Sequence, residues 1–278
     1  MSEGVPRIVC LPDGSVYNAA FVDAIREHHL LVPDKIPGIE TATLIKASSR
    51  ERRTVRITVL GNGQPLTLYI KQYAPVPLFR ILVNLMRGVV QRSAKDEFFS
   101  IVELHKAGIP TLTPVAAGIK RTGLFKKESF LITKALDAVR LDDFLRTTPL
   151  SLSDKRRLIE QLATLIRSLH DRGFNHRDLY LCHILRDATG QLSLVDLHRL
   201  DRHQILPERW RIKDIAALNY SAPAGIITKS DRLFFLKKYL RCTDVTASAR
   251  LLIRKVLKKT QKMIQHNRAR HRTGANTG

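Results

Sequence analysis

The stretch F-N-H-R-D-L-Y-L-C-H-I-L-R, residues 174–186, is followed by the turn D-A-T-G and then by Q-L-S-L-V-D-L-H-R, residues 191–199. Its reading decides the fold. Ile184–Arg186 and Leu192–Val195 are short apolar runs around Gly190, which predicts two strands joined by a tight turn. A polar tripeptide, His176-Arg177-Asp178, precedes the first run and a second carboxylate, Asp196, ends the other. Upstream, S-L-S-D at Ser151 carries capping chemistry and opens a helix. The apolar stripe of that helix is Leu158, Ile159, Leu162, Leu165, Ile166 and Leu169, and Gly173 stops it. Downstream, Ile212–Tyr220 and Ser230–Leu240 also read as helices.

Farther upstream the period changes. T-A-T-L-I-K-A, T-V-R-I-T-V-L and L-T-L-Y-I-K alternate between Thr41 and Lys71, separated by S-S-R-E-R and G-N-G-Q-P, so three antiparallel strands are expected. In the third, Leu66, Leu68 and Ile70 share one face and Tyr69 and Lys71 the other. Pro75 and Pro77 end it. A helix is expected from Ser93, its N-cap, to Lys106, with Gly108 just beyond. Glu97 lies on the side of Ile101 and Leu104 and so faces inward. Val115–Ile119 and Ser129–Thr133 are β-like, and the first forty residues offer only a short helix over Val22–Leu31. The sum is an α+β chain of two lobes. A β-rich lobe over 1–135 carries a basic insert at 72–95, and a mostly helical lobe spans 136–278.

Phosphoryl transfer needs a cation on the nucleotide phosphates, carboxylates for a divalent metal, and a carboxylate that orients the attacking hydroxyl. The chain supplies, in order, Lys71 on a strand, Glu97 on the next helix, His176-Arg177-Asp178 after a long helix, and Asp196 after a short strand. This is the order of the protein-kinase signature, with Y-I-K, H-R-D and D-L-H in place of V-A-I-K, H-R-D and D-F-G. There is no G-x-G-x-x-G; the basic turn at 49–53 occupies its place, and Tyr69 stands where a small residue normally floors the adenine pocket. Between Asp196 and Trp210 there is no room for a long activation segment.

N-H-R-D-L-Y-L-C-H-I-L, L-V-D-L-H-R and R-W-R-I-K-D-I-A-A-L together resemble the bacterial lipopolysaccharide core kinases of the Kdo/WaaP type, over roughly residues 41–240. The resemblance implies a protein-kinase-like fold and phosphorylation, with ATP and Mg2+, of an inner-core sugar, most often heptose and sometimes Kdo. It makes Asp178 the base that takes the sugar hydroxyl's proton, Asp196 the main metal ligand and Lys71 the phosphate holder, fixed by Glu97. His183 takes the place of a metal-binding Asn, or serves only to hydrogen-bond the loop. His176 and Asp214 would support the catalytic loop, and His198 and Arg199 read either as contacts to acidic groups of the substrate or as a solvated pair.

Composition narrows the partners. In 278 residues there are 47 Lys and Arg against 25 Asp and Glu, a formal charge of +22, which calls for an anionic partner. Residues 71–95 mix Arg80, Arg87 and Arg92 with apolar side chains as interfacial helices do, and no acid occurs from Val245 to Gly278. Both segments are expected to dock on an anionic inner-membrane surface, beside an anionic glycolipid. No RNA-recognition motif or aromatic cluster supports nucleic acid, since only 6% of residues are aromatic. Cys10, Cys182 and Cys242 are far apart and suit reduced thiols. Without a signal-like N-terminus or a long apolar run, the expected location is the cytoplasmic side of the membrane. Two competing readings are a small-molecule kinase of the aminoglycoside type and a catalytically inactive kinase-fold adaptor.

Overall fold

The computed structural model describes residues 4–32, 42–49, 52–61, 63–74, 86, 93–121, 127–244 and 246–274. Most of the expected basic insert 72–95, the centre of the 49–53 turn and Asn62 of the hairpin lie outside these residues. The chain forms two compact units, 1–136 with 196–198, and 137–195 with 199–278.

The first unit is built on an antiparallel seven-stranded sheet. In chain order its strands are β1 (Ile8–Cys10), β2 (Val16–Asn18), β3 (Thr43–Ser49), β4 (Arg52–Gly61), β5 (Gln64–Tyr73), β6 (Pro114–Arg121) and β7 (Lys127–Lys134); in space they run β1-β2-β6-β7-β5-β4-β3. The alternating segments expected between Thr41 and Lys71 are β3, β4 and β5, with Ile70 opposite Val55 on one side and Ile132 on the other. Leu68 and Ile70 are fully buried with Ile57, Val59, Val115, Phe130 and Ile132. The opposite face of β5 therefore carries Tyr69, Lys71 and Tyr73.

Helix α1 (Val22–Glu27) is shorter than the expected 22–31. His29 turns left-handed at φ 50°, and the Leu30 amide donates to the Ile25 carbonyl at 3.1 Å, which tucks Leu30 into the core. Helix α2 (Ala94–Lys106) starts as expected. The Ser93 hydroxyl accepts from the Asp96 amide and the Asp96 carboxylate accepts from the Ser93 amide, a reciprocal cap. Strands β1 and β2 were not expected, because three residues each are too short to show a period.

The second unit contains β8 (Ala138–Arg140), α3 (Leu141–Thr147), α4 (Leu152–Asp171), β9 (Phe174–Asn175), β10 (Ile184–Asp187), β11 (Leu192–Leu194), β12 (Asp201–Arg202), α5 (Glu208–Ser221), α6 (Lys229–Leu240) and α7 (Ala247–Gly274). The stripe of α4 is buried as its spacing predicts. The expected strand pair is β10 and β11, antiparallel, extended by β8. Gly173 holds φ +82° after α4, and a Cβ there would meet the His203 carbonyl oxygen at 2.0 Å, so no other residue fits this turn. That close approach lets β9 pair with β12, Asn175 opposite Asp201. Helix α5 begins at Glu208, four residues before the expected Ile212, because Arg209 and Arg211 obscure the apolar period of its first turn.

Candidate active site

Lys71 is placed by the alternation of β5 and Glu97 by the periodicity of α2, and the two meet. Lys71 Nζ donates to Glu97 Oε1 at 2.6 Å and to Asp196 Oδ1 at 3.2 Å. Glu97 is buried, with 2% of its side chain exposed, whereas Asp196 retains 23%. The second Glu97 oxygen accepts from the Tyr73 hydroxyl at 2.7 Å. Tyr73 was missed by the sequence reading, although its position two residues after Lys71 puts it on the same strand face. The other local acids are engaged elsewhere: Asp96 caps α2 and Glu103 pairs with Lys106.

Asp196 occupies the left-handed region at φ 61°. A non-glycine residue there costs about 1–2 kcal/mol, and its neighbour holds it in place. The Val195 amide donates to the His183 carbonyl at 3.0 Å, and the Val195 carbonyl accepts from His176 Nε2–H at 2.9 Å. His176 thus supports the approach to Asp196 as well as the loop it belongs to. His198 Nδ1 lies 3.1 Å from Asp196 Oδ1.

Asp178 lies in the second unit on a loop with a buried anchor. Asp214, fully buried on α5, accepts the His176 amide at 2.7 Å and the Arg177 amide at 2.8 Å. Arg177 is left-handed at φ 71°, and these bonds fix that turn. A carboxylate can only accept, so His170 Nε2–H donates to Asp214 Oδ2 at 3.3 Å, and His170 Nδ1 accepts from the Tyr239 hydroxyl at 2.8 Å. Burial pushes the Tyr239 phenol up to about 12. The relay Tyr239–His170–Asp214 joins α6, α4 and α5 beneath the loop. His170 and Tyr239 carried no sequence signal, because each is one polar residue on an otherwise ordinary amphipathic helix.

Both oxygens of Asp178 accept from one nitrogen of Arg199, at 2.9 and 3.0 Å. Arg199 is therefore not part of the solvated pair that one sequence reading allowed. His183 faces the Asp178 main chain: its Nδ1 donates to the Asp178 carbonyl at 2.8 Å, which leaves the lone pair of the neutral ring on Nε2. Its ring stacks on His176 with centroids 5.9 Å apart.

The expected residues thus fall into two sets. Lys71, Glu97 and Asp196 are brought into contact in the first unit, and His176, Asp178, His183 and Asp214 form one network in the second. Among the described residues no group of three or more His, Cys, Asp and Glu side chains could hold a metal ion. Magnesium commonly takes one or two carboxylates and completes its shell with phosphate oxygens and water, so Asp196 suits it as a lone carboxylate. Lys71 suits phosphate too. Its bond to buried Glu97 is short, and the longer bond to the more exposed Asp196 is the one a phosphate oxygen can replace.

Comparison with known proteins bears on this geometry. Residues 44–239 match the model of the lipopolysaccharide kinase (Kdo/WaaP) family. The chain is 35% identical over 202 residues to the lipopolysaccharide core heptose(I) kinase WaaP of Pseudomonas aeruginosa, covering 68% of this chain and 74% of that protein. Against the protein of the same name from Escherichia coli it is 32% identical over 220 residues, covering 74% and 82%. A shorter match, 31% over 104 residues, joins it to a 3-deoxy-D-manno-octulosonic acid kinase of Vibrio cholerae, covering 37% and 43%.

Proposed function

The chain belongs to the lipopolysaccharide kinase (Kdo/WaaP) family, and from that premise we propose that it transfers the γ-phosphate of ATP to a heptose hydroxyl of the lipopolysaccharide inner core. The observation that carries the proposal is Lys71 held between Glu97 and Asp196, inside the segment that matches the family. Heptose is preferred over Kdo because the heptose(I) kinases match 68–74% of the chain and the octulosonic acid kinases 37–44%.

In this reading Asp178 accepts a hydrogen bond from the sugar hydroxyl, orients its oxygen and takes its proton as the new bond forms. The loop amides of His176 and Arg177, held by Asp214, keep Asp178 in place. Lys71, steadied by Glu97 and Tyr73, neutralises phosphate oxygens. ATP when bound would supply the phosphoryl group, and Mg2+ would offset its charge, with Asp196 as the carboxylate that would hold it; His183 is a further candidate donor. Replacement of Asp178 by Ala is expected to lower kcat by about 10²–10⁴-fold, read as label transferred from ATP to core oligosaccharide lacking phosphate. Equal turnover by the wild type and Asp178→Ala would remove Asp178 from the role of base. Label on protein or RNA, and none on the oligosaccharide, would reject the acceptor class. Label mapped to Kdo would reject heptose.

The same reading places the enzyme on the cytoplasmic face of the inner membrane as a peripheral protein. Among the described residues no helix is long and apolar enough to cross a bilayer. Helix α7 buries Ala249, Val256 and Thr260 and exposes Arg254, Lys258, Lys259 and Lys262, while Lys255 pairs with Glu208 at 2.6 Å. Each cation near an anionic surface contributes about 1 kcal/mol, less as salt rises. Co-sedimentation with anionic vesicles is expected at physiological salt and should weaken at high salt; no binding at physiological salt removes this part of the proposal.

A further inference from the structure

We propose that Arg177, Arg199, Arg209 and Lys213, grouped around Asp178 and Trp210, form a subsite for the carboxylate of an acidic sugar that accompanies the phosphorylated heptose in the acceptor oligosaccharide, and that Arg199 leaves Asp178 to bind it. The inference rests on the reading of the chain as a lipopolysaccharide core kinase and adds a specificity element to it.

Asp178 is held in a form that hinders its assigned work. Its two oxygens accept from Arg199 Nη1, so the guanidinium stands where the sugar hydroxyl would have to donate. A base so held must be released before it can take a proton from a sugar hydroxyl. Release is easy here because 42% of the Arg199 side chain is exposed, and partly exposed ion pairs are weak. A competing anion that forms equally good charge-assisted hydrogen bonds would draw Arg199 away and keep it away.

The surroundings favour such an anion. The Arg177 guanidinium lies 5.0 Å from the Trp210 ring centre, that of Arg209 5.2 Å, and Lys213 Nζ 5.4 Å. The ring attracts these cations through its π face, which offsets part of their mutual repulsion. His203 stacks beside the same ring. The acids nearby are already engaged: Asp214 with the loop amides and His170, Asp201 with Arg177 at 3.3 Å, and Glu208 with Lys255. Lys213 registers the excess. Its ammonium is pushed down first by burial, then by Arg199 and Arg177, against the opposing pull of Asp178 and Asp214. An incoming carboxylate would relieve this charge imbalance and free both Asp178 oxygens in one exchange, so an oligosaccharide without the carboxylate would meet a base still occupied by Arg199.

Trp210 is the chain's single tryptophan, so its fluorescence provides a native probe that needs no nucleotide. The full-length protein would be titrated with the methyl glycoside of a 3-deoxy-octulosonic acid, with its carboxyl methyl ester, and with inorganic phosphate. The acid is expected to shift the emission saturably and to bind about ten- to hundredfold more tightly than the ester, the range of a charge-assisted hydrogen bond. In Arg199→Ala the discrimination should shrink to within about threefold, and Arg199→Lys should restore part of it. Acid and ester binding alike, or Arg199→Ala keeping the full ratio, overturns the subsite. Phosphate binding as tightly as the acid overturns its assignment to a carboxylate. Thermal melts identify a variant that fails to fold, and Lys213→Gln then carries the same comparison. In turnover, native and carboxyl-reduced core oligosaccharides separate the two readings. Equal rates on both acceptors overturn the subsite and leave the kinase standing, whereas transfer to neither overturns the kinase reading and the subsite with it.

Discussion

Two buried carboxylates support the candidate site residues, one in each unit, and they do so in different ways. Asp214 holds a loop by its backbone: its oxygens accept the amides of His176 and Arg177. Glu97 holds the end of a side chain: its oxygens accept from Lys71 Nζ and the Tyr73 hydroxyl. Asp214 is 0% exposed and Glu97 2%, so burial does not separate them. A backbone anchor fixes the main-chain path whatever the side chains do, and its loss takes the acceptor from two loop amides at once. A side-chain anchor only selects a rotamer, and Lys71 has Asp196 as an alternative. Asp214 should therefore matter first for folding, and the Glu97 network first for turnover.

The largest effect should follow removal of the backbone anchor. In Asp214→Ala the His176 and Arg177 amides lose their acceptor, His170 Nε2–H loses its own, and the left-handed turn at Arg177 loses its restraint. A destabilisation of about 2–5 kcal/mol is expected from unsatisfied buried donors and a broken buried pair, read by urea unfolding. Activity should fall with it. If Asp214→Ala unfolds like the wild type and loses only turnover, the distinction between the two anchors is wrong.

Much of this was legible in the sequence, and the unreadable part has a physical reason. Lys71 and Glu97 could be placed because strand and helix periods say which way a side chain points, and both sit on elements long enough to show a period. Asp178 and Asp196 could be placed because short apolar strands and a glycine turn bracket them. Contacts made by chain return could not be read. Arg199 reaches Asp178 across 21 positions and Tyr239 reaches His170 across 69, and neither residue is unusual where it stands. The left-handed turns at Arg177 and Asp196 were equally hidden, because neither is glycine, the residue that normally announces such a turn. Helix α3 was missed because its seven residues carry only two buried side chains, Leu141 and Leu145.

The relay under the loop gives the next effect, and it depends on pH. Tyr239 has its phenol raised from 10 to about 12 by burial. The unfolded chain therefore loses this proton before the folded one does. The hydroxyl's contribution is complete below pH 10 and disappears as pH rises through about 12, so stability should fall along this limb. A rise of that size corresponds to about 2–3 kcal/mol. Tyr239→Phe removes the titrating group and should flatten the alkaline limb relative to the wild type in denaturant midpoints between pH 9 and 11. It should also lower stability near neutrality, since His170 Nδ1 loses its donor. Parallel wild-type and Tyr239→Phe curves across that range would show that the relay does not anchor the loop through a neutral phenol.

The smallest effect tests the side-chain anchor. Tyr73→Phe removes one hydrogen bond to Glu97 Oε2 and leaves Lys71 bonded to Oε1, so Lys71 keeps both carboxylate partners. Tyr73 is half-buried and ends β5, so a water that takes the vacated position would limit the penalty. A hydrogen bond to a charged group contributes about 1.5–3 kcal/mol when fully buried. Here the cost to folding should stay under about 1 kcal/mol, because Glu97 keeps its bond to Lys71 and a water is expected to replace the lost donor. The remaining effect falls on Lys71. With Glu97 held from one side only, the ammonium samples more positions, and kcat should drop severalfold, read as phosphate transfer at saturating acceptor. A loss of stability matching that of Asp214→Ala would mean that Glu97 anchors the fold as Asp214 does. Severalfold slower turnover with an unchanged denaturant midpoint would place Tyr73 where the hydrogen bonds put it, as a positioning residue acting through Glu97 on Lys71.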